Sequence, residues 1–120
     1  MSFWRKEVVD FALSQETVRQ MEGLRAWIRR EPANARPYYH LAQFYRMEQR
    51  TEEALGLLLE AVRLDAAFAD AHAGLAELYA VREDYSAAWR HARFAEQNGN
   101  ARAVEMLRRH GIAENAAPSE

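Results

Sequence analysis

Residues 41–45, Leu41-Ala42-Gln43-Phe44-Tyr45, return 34 positions later as Leu75-Ala76-Glu77-Leu78-Tyr79, and the alanines that follow, Ala54 and Ala61, return as Ala88 and Ala95. The repeated positions are those that would hold two antiparallel helices together, and the period is that of a helical repeat array. A hairpin of this size cannot bury its apolar stripe alone. Stacked copies must share a core, and the product is a curved array whose polar inner face is free to bind something. The expected fold class is all-α.

Composition agrees. The chain has 120 residues, enough for one domain that buries roughly two thirds of its unfolded surface without a metal or a disulfide. Apolar residues make up 49% of the chain, much of it alanine, with three prolines and five glycines, which favours helix over sheet. Lys and Arg number 16 against 18 Asp and Glu, spread evenly, so no basic face argues for nucleic acid. The pairs Arg29-Arg30 and Arg108-Arg109 fall where helix ends would place them against the macrodipole. There are no cysteines, which removes disulfide frameworks, thiolate zinc sites and thiol nucleophiles. No apolar run reaches the roughly 20 residues of a membrane span, and residues 1–14 do not read as a secretory signal. A soluble cytoplasmic protein is expected.

The register sets repeat units at 35–68 and 69–102. Upstream, residues 1–34 obey it in part: Trp4 falls with Tyr38 and His72, Val8 with Ala42 and Ala76, Phe11 with Tyr45 and Tyr79. Thr17 falls on Thr51, each suited to cap a second helix. The unit departs where packing is decided. Glu7 replaces the leucine, and Gln20 and Trp27 replace the alanines, so its helices cannot approach as closely. A divergent first hairpin is expected, with helices near residues 2–13 and 17–31. Downstream, residues 101–112 read as a short capping helix carrying Val104, Met106 and Leu107, with Gly111 as its C-cap. Residues 113–120 are small and polar and are expected to form a disordered tail.

These residues resemble the tetratricopeptide repeat family, whose 34-residue unit carries a large residue, then Leu, a small residue, Tyr, and later two alanines seven apart. Here the pattern reads Tyr38, Leu41, Ala42, Tyr45, Ala54, Leu58, Ala61 and then His72, Leu75, Ala76, Tyr79, Ala88, Ala92, Ala95. The match is specific over residues 35–100 and weak over 1–34. The resemblance implies a right-handed α-solenoid of antiparallel helix pairs, a superhelix whose first helices line a concave groove for peptides or partner segments. Helical geometry separately puts Arg36, His40, Gln43 and Met47 opposite the packing stripe of one first helix, and Asp70, Gly74, Glu77 and Val81, flanked by Ala73 and Ala80, opposite that of the next. The second helix, Glu52 to Leu64, is apolar nearly all round, as for a helix sandwiched between neighbours.

The groove candidates are therefore Arg36, Tyr39, His40, Gln43 and Arg46 from one helix and Asp70, Ala73, Gly74 and Glu77 from the next. Gly74 either lets a partner backbone come close or marks a point where helices crowd. Some family members clamp acidic chaperone tails with lysine and asparagine, and neither stands at the corresponding positions here. A partner segment of mixed charge, with a basic residue against Asp70 and Glu77, is the expected occupant. The first helix is apolar on two sides, through Phe3, Trp4, Val8, Val9, Phe11 and Leu13. Three readings stay open: an ordinary first hairpin, a homodimer built by association or exchange of this helix, and a membrane-surface anchor using Phe3, Trp4, Arg5 and Lys6. His40, His72, His91 and His110 contain no i, i+4 metal pair, no serine sits in a nucleophile elbow, and no glycines form a phosphate loop. His72 occupies a core position. The expected function is a non-enzymatic protein–protein interaction scaffold without cofactors, the alternative a homo-oligomeric assembly subunit.

Overall fold

The computed structural model describes residues 2–114, with the side chains of residues 2–7 and 9–13 excepted. Among the described residues six helices follow one another: α1 Ser2–Arg30, α2 Ala35–Met47, α3 Thr51–Leu64, α4 Ala69–Val81, α5 Tyr85–Gln97 and α6 Arg102–Arg109. No strand occurs among the described residues, and no helix there is long and apolar enough to cross a membrane. Turns of three or four residues join the helices, and each helix packs on its neighbour in the chain. The hairpin α2–α3 recurs as α4–α5, with both helix starts displaced by 34 residues.

The repeated alanines explain why these helices close so tightly. Ala42, Ala54, Ala61, Ala76, Ala88 and Ala95 are all fully buried, as is Leu75. Two clusters form the core. One joins Ala42, Ala54, Leu58 and Ala61 to Leu75 and Leu78; the other joins Ala73 and Ala76 to Ala88, Trp89, Ala92, Val104 and Leu107. Helix α4 contributes to both, so it is the element around which the described helices are stacked. As expected, α3 is sandwiched between neighbours, α2 and α4. Helix α4, expected to keep one face free, is the more enclosed, buried without interruption from Ala71 to Gly74 and on to Ala76 among α3, α5 and α6. Helix α3 keeps Leu59 41% exposed.

The helix ends are built on one recurring device. Gln49 and Glu83 adopt positive φ (61° and 63°), as do Gly99 and Gly111. After each, an amide reaches back five residues: Arg50 N–H donates to the Tyr45 carbonyl at 2.8 Å, and Asp84 N–H to that of Tyr79 at 2.9 Å. Asn100 N–H and Ile112 N–H do the same to Ala95 and Leu107. Helix starts are capped by Asn34, whose side-chain oxygen accepts from Arg36 N–H at 3.0 Å, and by Asp84, which accepts from Ala87 N–H at 3.2 Å. Neither threonine proposed as a cap acts as one: Thr51 is the first residue of α3, behind Arg50, and Thr17 lies inside α1.

The expected first hairpin is one continuous helix of 29 residues. The reason lies in what a turn would gain. One unit upstream of Gln49 stands Gln15, and forcing a residue with a Cβ into the left-handed region costs roughly 1–2 kcal/mol. In the later hairpins that cost is offset by alanine-to-helix packing. In the first unit Gln20 and Trp27 prevent the same approach, and the helix runs on without a turn. Of the residues expected at an oligomer interface, the side chains of Phe3, Trp4, Val9, Phe11 and Leu13 lie outside the described residues; Val8 is 53% exposed. The C-terminal segment is partly fixed. The Arg93 guanidinium donates to Glu114 (Nε to Oε2, 2.9 Å), and Trp89 Nε1–H donates to the Ile112 carbonyl at 3.2 Å. Residues 115–120 of the expected tail lie outside the described residues.

Candidate functional site

On α2, Gln43, Arg46 and Met47 share one face by their i, i+3, i+4 spacing, and on α4 Glu77 and Val81 do the same. The two faces are tied together by charge. Arg46 Nη2 donates to Glu77 Oε2 at 2.5 Å, and Arg102 Nε, arriving from α6, donates to Glu77 Oε1 at 2.9 Å. Arg46 Nη1 also donates to Gln43 Oε1 at 3.2 Å, and Gln43 Nε2 to the Tyr39 hydroxyl at 3.4 Å. Burial works against the Arg102 cation, but Glu77 more than offsets it, and the pKa of Arg102 lies above its ordinary value. Two guanidiniums meet one carboxylate here, so the group carries a net positive charge. Arg46 and Glu77 are only 24% and 22% exposed, where water screens them incompletely.

Three clefts adjoin along this side of the molecule. The first, of about 340 Å³, lies between Ser14, Thr17 and Val18 of α1 and Met47 and Glu48. The second, of about 480 Å³, holds the charged group and is lined by Gln43, Arg46, Met47, Glu77 and Arg102. The third, of about 530 Å³, is bounded by Glu77, Val81 and Tyr85 on one side and Met106, His110 and Ile112 on the other. Met47 borders the first two and Glu77 the last two, so the clefts follow one another as neighbours, a segmented trough across α1, α2, α4 and α6. Met47 and Val81 project into it at 75% exposure each.

Of the residues expected to form a groove, Gln43, Arg46 and Glu77 meet in this trough, with Tyr39 behind them. Arg36 is exposed but lines none of the three clefts. His40 lines a separate cleft against α1, with Gln20, Leu24, Trp27 and Phe44. Asp70 Oδ1 accepts from Asn100 Nδ2 at 2.7 Å. Both carboxylates expected to meet a basic ligand residue are thus already engaged within the chain. Ala73 is fully buried and offers no surface. Gly74 is also buried: a Cβ there would stand 3.2 Å from Leu58 Cδ1 and 3.6 Å from Arg46 Nη1. It is a point of helix crowding. Missed among the candidates were Met47, Val81 and Arg102. The first two carried a signal, since they are 34 residues apart and both apolar on a face turned from the core; Arg102 carried none, because it comes from another element.

A second polar cluster lies on the far side of α4. His72, 8% exposed, has Nε2 2.9 Å from the Ala66 carbonyl and Nδ1 3.0 Å from His91 Nδ1. A carbonyl only accepts, so His72 carries its proton on Nε2, and its bare Nδ1 accepts from His91 Nδ1–H. His91 is stacked against Tyr79, with ring centroids 5.5 Å apart. Its pKa is lowered to about 4, first by burial, then by His72 and Arg90. Among the described residues no group of three or more His, Asp or Glu is placed to hold a metal ion. Compared with protein-family models and with curated proteins, the chain matches none.

Proposed function

We propose that this chain is a non-enzymatic scaffold of the tetratricopeptide repeat kind, a short right-handed superhelix that holds an extended segment of a partner protein in the trough across α1, α2, α4 and α6. The observation that carries this reading is the succession of clefts: Met47 and Glu77 are each shared by neighbouring clefts, and Met47 and Val81 stand as exposed apolar side chains at equivalent places on successive hairpins. An isolated exposed methionine or valine is ordinary; two at repeat spacing in one concavity make a ladder. Between them, Gln43, Arg46 and Arg102 supply donors, and the net positive charge favours an acceptor there. The matching segment carries apolar side chains on either side of a carboxylate or of backbone carbonyls, and binds by burying a few anchors rather than by making or breaking bonds.

Selection of peptides from a random library against the folded protein, followed by titration calorimetry, tests this. Peptides so selected are expected to lose at least tenfold in affinity to Met47→Asp and to Val81→Asp, and to bind Leu59→Asp, altered on the exposed side of α3, as they bind the parent. Equal affinity for all three variants would refute the assignment of the trough.

A further inference from the structure

The repeat register aligns Gln20, Leu24 and Trp27 of α1 with Ala54, Leu58 and Ala61 of α3 and with Ala88, Ala92 and Ala95 of α5. On α3 and α5 these residues are fully buried, between the first helix of the same hairpin and the helix that follows. On α1 Gln20 is exposed, and Leu24 and Trp27 are only partly buried. Gln20, Gly23, Leu24 and Trp27 form one wall of a cleft of about 400 Å³, with His40 and Phe44 of α2 as the other. Gly23 is exposed, and a Cβ there would meet nothing within 4 Å. Glycine inside a helix weakens it relative to alanine, and within one copy of the chain no contact compensates.

The register also names the missing occupant. Residues 2–13 carry Trp4, Val8 and Phe11 where α2 carries Tyr38, Ala42 and Tyr45. Because α1 is one continuous helix, it takes its own residues 2–13 away from the open cleft: Val8 and Gly23 are 15 residues apart, about 22 Å along the axis. We infer that a second copy of the chain fills the cleft. Two α1 helices lie antiparallel about a two-fold axis beside Gln15 and Glu16, and each lays residues 2–13 over residues 20–30 of the other. The pairing follows from the later hairpins. Tyr38 and Tyr45 pack against the cluster that holds Ala54 and Ala61, and counting outward from the turn at Gln49 and Arg50 pairs Tyr45 with Ala54 and Tyr38 with Ala61; one unit upstream the same count pairs Phe11 with Gln20, Trp4 with Trp27, and Val8 with Gly23, now between copies. The patch is self-complementary, as a two-fold interface requires, and exchange of an identical element is a low-cost route to a dimer. The larger side chains at positions 20 and 27 fit a separation between chains that no three-residue turn has to span.

The absence of cysteine makes a direct test simple. Val8→Cys and Gly23→Cys are made separately, shown by circular dichroism to keep the parent's helicity, mixed, and oxidised mildly. Exchange predicts a covalent dimer in the mixture at several times the yield from either variant alone, and, for the unmodified chain, a sedimentation mass moving with concentration towards twice 13.9 kDa. The inference is overturned by a mass that stays monomeric at every concentration, by a mixture that yields no more dimer than its components, or by a doubly substituted chain that closes on itself. Peptide affinity for the trough is read separately and does not enter this result.

Discussion

Acidification should destabilise this protein through a single ring. His91 is half-buried between α4 and α5, has its Nδ1 3.0 Å from His72 Nδ1, stacks on Tyr79 and feels the charge of Arg90 beside it on α5. Its pKa falls from 6.5 to about 4 on folding. The unfolded chain therefore binds a proton that the folded chain refuses, and the associated stability is fully present above pH 6.5 and is lost as pH falls towards 4. Without screening, linkage gives about 2 kcal/mol lost between pH 7 and pH 5. Water reaches part of the ring, which reduces this to about 1 kcal/mol, or roughly 4 °C in Tm for a domain of this size. The matched variant is His91→Gln, whose amide can still donate to His72 but takes up no proton in this range. Urea unfolding of both proteins at pH 7, 6 and 5 should give curves that diverge, the parent losing about 1 kcal/mol more than the variant by pH 5. Carboxylates such as Glu60 and Glu114, whose pKa values are lowered by Arg63 and Arg93, titrate below this window and do so equally in both proteins. Parallel curves would refute the reasoning.

Two glycines of the helices should respond in opposite senses. Gly74→Val should cost at least about 2 kcal/mol by urea unfolding, since even a Cβ comes within 3.2 Å of the fully buried Leu58, whereas Gly56→Ala, with nothing within 4 Å, should gain up to about 1 kcal/mol. At the turns, Gln49→Gly and Glu83→Gly should each stabilise by about 0.5–1 kcal/mol, because both residues hold positive φ; a loss of stability in either would show that these side chains make contacts worth more than the strain.

The hairpins were legible in the sequence because the signal that repeats is also the one that packs. Alanines at 54, 61, 88 and 95 are small for a physical reason, and that reason shows as a period. The continuity of α1 was not legible, since Gln15, Gln49 and Glu83 do not differ in a way that predicts which will bend. The bend depends on what folding back would bury, and only the structure shows that Gln20 and Trp27 forgo it. The burial of α4 escaped for a similar reason. Helix α6 closes over Ala73 and Ala76, a contact that no single-helix pattern encodes. In the candidate site, Gln43, Arg46 and Glu77 could be found from helical spacing, whereas Ala73 and Gly74 were misplaced because a face drawn on an isolated helix ignores the neighbour that covers it.

Glu77 links α2 to α6 although neither follows the other in the chain, with partners 31 residues before it and 25 after. One carboxylate thus acts as a crossbar. An arriving anion competes with it for both guanidiniums, an arriving cation competes with both guanidiniums for it, and in either event the two outer helices are loosened together. Whatever settles in the middle of this surface is felt at both of its edges.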